Sequence, residues 1–200
     1  MNTQTHVLMG AVLFGRKMPR AAWAAALGGF VPDLPMLSIV AYLRMSGHTF
    51  EEIFGTFYWS PWWQIANAIG HNFILWPAVI LVSLWLINKS DGGAASWARL
   101  ALPFAAAALV HSGADFLLHR EDAHMHFWPL SQWRFVSPVS YWDRNHYGGP
   151  FSLFESAFGM IMALYLFIRW RRWPLRVALT LCIALYAAIP AMFIFGMSHG

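Results

Sequence analysis

Residues 100–118 decide the fold, because they form an apolar stretch that carries two ionisable side chains. The stretch reads LALPFAAAALVHSGADFLL. Its length matches the roughly 20 residues with which an α-helix crosses a hydrocarbon core of about 30 Å. His111 and Asp115 lie four residues apart within it. Ionisable groups are costly to bury in a membrane and are functional by default. The stretch therefore predicts a membrane helix that carries a functional site.

The composition of the whole chain places that helix in an integral membrane protein. Of the 200 residues, 58% are hydrophobic and 11% are charged, and the mean hydropathy is +0.48. Soluble domains have about 25% charged residues, so this chain has too few of them to cover a water-facing surface. The apolar content excludes disorder. Cys182 is the one cysteine in the sequence, which excludes a disulfide framework.

Further apolar stretches accompany residues 100–118. They span residues 3–14, 21–43, 62–87, 151–170 and 175–197. The first is too short to cross a membrane comfortably, and Pro32–Asp33–Leu34–Pro35 interrupt the second. The pattern predicts an all-α transmembrane bundle with five to six membrane segments, in a single domain over residues 1–200. A long loop rich in aromatic residues and histidine, residues 119–150, separates the fourth segment from the fifth.

Lysine and arginine are enriched in every second connection between the segments. They cluster at residues 16–20, 89–99 and 169–176. By the positive-inside rule, both chain ends and the long loop lie outside, and we expect a bacterial inner-membrane protein. The short basic clusters do not resemble the continuous basic face of a nucleic-acid-binding protein, so the bilayer is the expected partner and nucleic acid is not. The sequence makes no prediction of a protein partner.

Five histidine and aspartate residues lie inside the apolar segments, namely His6, Asp33, His71, His111 and Asp115. At 1.5 Å per helical residue, the predicted topology brings all of them into the outer half of the bilayer. That agreement is independent of the topology, which rests on lysine and arginine alone. The five residues are therefore expected to converge on one site.

Histidine and carboxylate side chains at one level are suitable ligands for a divalent metal ion. His111, Asp115 and His119 follow one another at intervals of four residues, so they are expected along one helix face. The predicted ligands are His6, Asp33, His71, His111, Asp115 and His119. Zinc is the expected metal, with manganese or iron as alternatives. A haem would fit less well, because Asp33 and Asp115 favour a harder cation.

Structural roles compete with this interpretation. His6 or His71 alone would equally fit an interhelical hydrogen bond, which is how polar residues hold membrane bundles together. Asp33, between two prolines, would also fit a helix cap. In the long loop, Asp143 and His146 are the candidates for a general base or acid.

Several short motifs resemble a family of membrane-bound, metal-dependent hydrolases, the YdjM-like family, described as LexA-binding and inner-membrane-associated. The matching features are Thr5-His6-x-x-x-Gly10, Pro32-Asp33, Gly70-His71-Asn72, the His111-x-x-x-Asp115 helix and Trp128-Pro129. The chain departs from the family at Leu34, where a second acidic residue is common, and at Asn72, where serine is common. The resemblance implies a hydrolase.

Together the residues and the resemblance predict a membrane-embedded hydrolase. Its substrate would be a lipid-linked or amphiphilic phosphoester or ester that reaches the site laterally, and its nucleophile a metal-activated water. The alternative is a non-enzymatic protein, either a metal carrier or a scaffold in which the same His and Asp residues only lock the helices together.

Overall fold

The described part of the chain is helical throughout. A computed structural model describes residues 1–15 and 19–196, and these ranges contain α-helices, short 3-10 turns and no strand. The α-helices are α1 (Thr3–Phe14), α2 (Pro19–Phe30), α3 (Leu34–Met45), α4 (Phe50–Gly55), α5 (Pro61–Gly70), α6 (Leu75–Lys89), α7 (Gly93–Phe116), α8 (Gly148–Arg169) and α9 (Trp173–Gly196). The all-α prediction is confirmed.

Four helical stretches of the described residues are long and apolar enough to cross a membrane. They are Arg20–Met45, Pro61–Lys89, Gly93–Phe116 and Gly148–Arg169. Large apolar side chains on them, such as Leu81 and Ile161, are 67% exposed in the isolated chain, which suits contact with lipid. Helix α1 has 12 residues. The apolar part of α9 that extends over Trp173–Ala188 is also shorter than the four stretches. A bundle of five to six membrane segments therefore stays a prediction.

The ends of the long loop differ from those predicted. Helix α7 ends at Phe116, before the predicted residue 118, and α8 begins at Gly148, before the predicted residue 151. His111 and Asp115 therefore lie on α7, whereas His119 follows its end. The His119 N–H still donates to the Asp115 carbonyl at 3.0 Å, so a last turn of chain keeps the two residues adjacent.

The first of two breaks in the membrane helices separates α2 from α3. Residues Val31–Asp33 form a 3-10 turn, and α3 begins at Leu34. Pro32 and Pro35 have no N–H to donate to the preceding helical turn, which favours a break in this segment. The break leaves the buried Asp33 at the junction of the two helices.

The second break divides the predicted segment 62–87 at His71. The Asn72 side chain stabilises it, because its Oδ1 accepts from the N–H groups of Ile74 and Leu75, each at 2.8 Å, at the start of α6. Its Nδ2 donates to the Trp128 carbonyl at 2.6 Å, which ties the break to the long loop. Asn72, where the resemblance leads one to expect serine, thus has a structural role.

Close contacts between helices hold the two breaks against each other. A Cβ on Gly70 would overlap the Pro32 carbonyl, so glycine allows α5 to approach the first break. Helix α7 packs against α1, α2 and α6, while α8 packs against α1 and α9. Small residues permit such close packing, as glycine and alanine do in membrane bundles generally. As a result, Asp33 and His71 both lie next to α7.

The approach of α2 to α7 provides a test of this packing. A Cβ on Gly28 would overlap the Phe104 carbonyl, whereas a Cβ on Gly113 of α7 would meet no atom within 4 Å. We expect Gly28→Ala to destabilise the protein by about 1–3 kcal/mol through overpacking. Gly113→Ala should leave stability unchanged or raise it slightly, because alanine favours helix. Thermal unfolding in detergent measures both, and equal midpoints for the two variants would contradict the packing described.

Candidate metal centre

Four ring nitrogen and carboxylate atoms converge where the two helix breaks meet α7. Asp33 comes from the first break, His71 from the second, and His111 and Asp115 from α7. All four residues are buried. Of the five predicted intramembrane residues, the structure brings these four together in one group, while His6 lies beside them.

The distances within this group suit a tetrahedral metal ion. His111 Nε2 lies 3.1 Å from Asp115 Oδ2, 3.2 Å from His71 Nε2 and 3.5 Å from Asp33 Oδ1. His71 Nε2 lies 3.2 Å from Asp115 Oδ2 and 3.7 Å from Asp33 Oδ1. Zinc bound to nitrogen and oxygen at 2.0–2.1 Å separates neighbouring tetrahedral ligands by about 3.3 Å. The residues present therefore fit a zinc-sized cation.

Hydrogen bonds orient both histidine rings toward the centre of the group. His111 Nδ1–H donates to the Gly29 carbonyl at 2.8 Å, and His71 Nδ1–H donates to the Asn67 carbonyl at 3.0 Å. With Nδ1 as the donor, Nε2 of each ring faces the carboxylates, an arrangement typical of metal-binding histidines. Asp33 Oδ2 accepts from Thr3 Oγ1 at 2.6 Å, which fixes that carboxylate. Two facing lone pairs and two carboxylates require positive charge, supplied by a metal ion or by two protons.

His6 contacts the other oxygen of Asp115. Its Nε2 lies 2.9 Å from Asp115 Oδ1, and its ring stacks on that of His111 with the centroids 3.6 Å apart. The Met1 amine donates to the same oxygen at 2.7 Å. His6 is therefore adjacent to the four-residue group without belonging to it, and its role as a ligand stays a prediction.

A second group of possible ligands shares Asp115 with the first. It adds His119 and His124, and all three residues are buried. His119 Nε2 lies 3.6 Å from Asp115 Oδ2, and His119 Nδ1–H donates to Asp122 Oδ2 at 2.8 Å. Burial alone lowers the pKa of His119, but the Asp115 and Asp122 carboxylates outweigh it and raise that pKa to about 9. His119 is among the predicted ligands, and the structure adds His124 beside it.

His124 and His126 lie in the long loop and are held neutral. Burial, followed by the neighbouring His71 and His119 rings, keeps the pKa of His124 well below its usual range. Burial and His71 lower the pKa of His126 to about 4. A neutral imidazole is the form that binds metal ions. His126 Nδ1–H donates to the His124 carbonyl at 3.0 Å, which joins the two residues.

Asp143 and His146, the predicted acid and base, form a separate pair. His146 Nδ1 lies 2.6 Å from Asp143 Oδ2 and 3.9 Å from Glu121 Oε1. The hydrogen bond from His146, followed by that from the Asn145 N–H, lowers the pKa of Asp143. Neither residue of the pair lines the cavity onto which Asp33, His71 and Asp115 open. Their part in catalysis stays a prediction.

A cavity of about 430 Å³ opens onto the two groups. Asp33, His71, Asp115, His119 and His124 line its polar part. Apolar and aromatic side chains also line the cavity, among them Met36, Phe54, Tyr58, Trp59 and Trp142. This volume lies within the range of small-molecule sites, which combine apolar walls with a few polar groups.

Asp122 also lines this cavity, although it is not among the site residues predicted from the sequence. Its Oδ2 accepts from His119, while its Oδ1 is buried without a hydrogen-bond partner among the described residues. The spacing of three residues between His119 and Asp122 is a signal that could have identified this pair. No such spacing pointed to His124, because the folding of the loop brings it back to α7.

Glu155 of α8 holds the N-terminal segment over the site. Its Oε1 accepts from the Asn2 N–H and from Thr5 Oγ1, both at 2.7 Å, and its Oε2 accepts from Asn2 Nδ2 at 2.9 Å. Thr5 Oγ1 also lies 2.6 Å from the Tyr186 hydroxyl. This buried network fixes the start of α1 and with it the position of His6.

Comparison with known proteins leaves the site as the basis for any functional conclusion. No family model, no curated protein and no solved structure matches this chain. The resemblance to the YdjM-like family therefore stays a prediction.

The four-residue group predicts a bound divalent cation. Protein purified in detergent should contain a stoichiometric metal at this group, and Asp33→Asn or His111→Ala should lower the occupancy of the group at least tenfold by removing a ligand. Asp91→Asn and His48→Ala, which change residues outside the cavity, are matched controls and should retain the metal. Elemental mass spectrometry gives the content. A wild type that stays metal-free after reconstitution would show that protons neutralise the group.

The Glu155 network predicts a loss of stability on substitution. Glu155→Ala removes the acceptor of the Asn2 N–H and Nδ2 groups, at a cost of about 1–3 kcal/mol for each group left unsatisfied, whereas Thr5 Oγ1 keeps the Tyr186 hydroxyl as a partner. We expect a lower unfolding midpoint and faster hydrogen exchange in α1. Glu51→Gln, at an exposed position, is the control. Unchanged exchange in α1 would mean that Glu155 does not hold this helix.

Proposed function

We propose that this protein is a membrane-embedded, metal-dependent hydrolase of amphiphilic phosphoesters or esters. The observation that carries the proposal is the group of Asp33, His71, His111 and Asp115, whose facing atoms lie 3.1 to 3.7 Å apart at the end of a cavity. A bound divalent ion would polarise a phosphoryl or acyl oxygen there and lower the pKa of a water. Zinc is the metal that we propose.

The cavity wall supports an amphiphilic substrate. Met36, Phe54 and Trp59 offer apolar surface to a hydrocarbon or aromatic portion, beside the polar end at Asp33 and Asp115. Among the described residues, no lysine or arginine lines the cavity. Carboxylates alone would repel an anionic phosphate, so the attraction for such a group would come from the cation. The same donor set would serve a neutral ester carbonyl.

Asp122 is the residue on this wall that suits proton transfer. Its hydrogen bond to His119 orients the carboxylate, and the unpartnered Oδ1 is free to accept a proton. A positioned general base contributes typically 10²–10⁴-fold to a rate. We therefore assign the general base to Asp122 in preference to Asp143 or His146, because Asp122 lines the cavity.

The alternation of basic loops supports a location in a bacterial inner membrane with the cavity on the outer side. The four apolar helical stretches are consistent with that setting. A substrate dissolved in the outer leaflet would then reach the cavity without leaving the membrane. This route explains why a hydrolytic site would lie within apolar helices.

Hydrolysis by reconstituted protein tests the proposal. Metal-loaded protein in vesicles is offered lipids that carry a phosphomonoester, a phosphodiester or a carboxylic ester, and mass spectrometry detects the products. We expect cleavage of one class, its loss on chelation and in Asp115→Asn, and a decrease of about 10²-fold in Asp122→Asn. Asp91→Asn should retain the wild-type rate.

A metal-loaded wild type that cleaves none of these classes would contradict the proposal. Loss of thermal stability in Asp115→Asn without any bound metal would instead support a scaffold in which the cluster joins the helices.

A further inference from the structure

We infer that the chain binds a second divalent cation, held by Asp115, His119 and His124, beside the one at the four-residue group. The inference extends the metal-binding part of the proposed function. It does not depend on which substrate is cleaved, or on whether any is.

The three residues of this second group lie close together and are buried. One ligand atom from each lies within 4.8 Å of the others, and Asp115, His119 and His124 are 1%, 7% and 5% exposed. Burial at this level excludes the solvated acidic clusters that are common on protein surfaces. Two ring nitrogens and a carboxylate oxygen form a donor set that suits zinc and neighbouring transition ions.

The hydrogen bonding of the two histidine rings suits metal binding. The Asp122 carboxylate accepts from Nδ1–H of His119 at 2.8 Å, which directs Nε2 toward Asp115 Oδ2 at 3.6 Å. Carboxylate–histidine pairs of this kind orient metal ligands in proteins. His124 Nδ1 is buried without a partner among the described residues, an arrangement that costs free energy unless something binds the ring.

Asp115 lies between the two groups. Its Oδ2 lies 3.1 Å and 3.2 Å from the Nε2 atoms of His111 and His71, and 3.6 Å from that of His119. One carboxylate thus faces both sets of nitrogens and can bridge two cations. Bridged pairs of metal ions are typical of enzymes that cleave phosphoesters.

The two positions differ in how many ligands the protein offers. The first group supplies four, including the shared Asp115, whereas the second supplies three. Three protein ligands leave a coordination position open, as in catalytic zinc sites. All three residues of the second group line the cavity, so its open position would face the substrate.

Metal stoichiometry tests this inference. The purified full-length chain in detergent is titrated with Zn²⁺ or Mn²⁺, dialysed and analysed by elemental mass spectrometry. We expect two equivalents for the wild type and one for His124→Ala. His48→Ala is the control, because His48 belongs to neither group and does not line the cavity, and it should retain two equivalents. Unfolding midpoints verify that each variant is folded.

Electron paramagnetic resonance of the Mn²⁺-loaded protein adds a readout that folding does not imitate. A carboxylate shared by two Mn²⁺ ions couples their spins, so the wild type should give a coupled spectrum. His124→Ala, or the milder Asp122→Asn if the first variant does not fold, should give the six-line spectrum of an isolated ion. The affinity for the second equivalent should fall at least tenfold in Asp122→Asn.

The outcomes separate this inference from the proposed function. A wild type that binds one equivalent, lost in Asp33→Asn and retained in His124→Ala, would overturn the second site and leave the proposed hydrolase intact. A wild type that binds none would overturn both. Two equivalents without spin coupling would contradict the bridging by Asp115.

Discussion

A carboxylate buried inside a bundle of apolar helices must be neutralised, and the structure around Asp115 is organised by that requirement. Asp115 is 1% exposed, so the cost of its burial has to be offset by cations or hydrogen-bond donors. Oδ1 of Asp115 lies against His6 and the Met1 amine, and Oδ2 faces His71 and His111. Segments from distant parts of the chain therefore meet at Asp115, and each contributes a group that offsets the charge of this carboxylate.

The two helix breaks give the bundle the freedom to meet that requirement. A regular helix satisfies its own backbone groups and places side chains at fixed intervals, whereas a break lets a side chain leave that pattern. The breaks at Asp33 and His71 are stabilised differently, the first by prolines and the second by the Asn72 cap. Because Gly70 contacts Pro32, the two irregular segments lie together against α7. Their backbone irregularity is thus confined to the place where chemistry can use it.

Much of the fold and part of the site could be predicted from the sequence. The apolar stretches identified the four helical regions long enough to cross a membrane, because apolar length is a local property. The ionisable residues within them led to the group of Asp33, His71, His111 and Asp115, since a polar residue inside an apolar segment is conspicuous. The cavity-lining residues of the long loop were harder to predict. His124 and Asp122 line the cavity while Asp143 and His146 do not, and no periodicity in that loop distinguishes them.

The sequence by itself determined that this is a helical protein rich enough in apolar residues for a membrane, and that a few His and Asp residues lie within its apolar stretches. These are properties of short stretches, and each stretch carries its own signal. Only the tertiary structure decided that His6 lies beside the four-residue group, that Glu155 fixes the N-terminal segment, and that His119 and His124 form a second group on Asp115. Those arrangements depend on atoms more than a hundred residues apart approaching within 3 Å, or on an irregular loop folding back, and packing alone determines such distances.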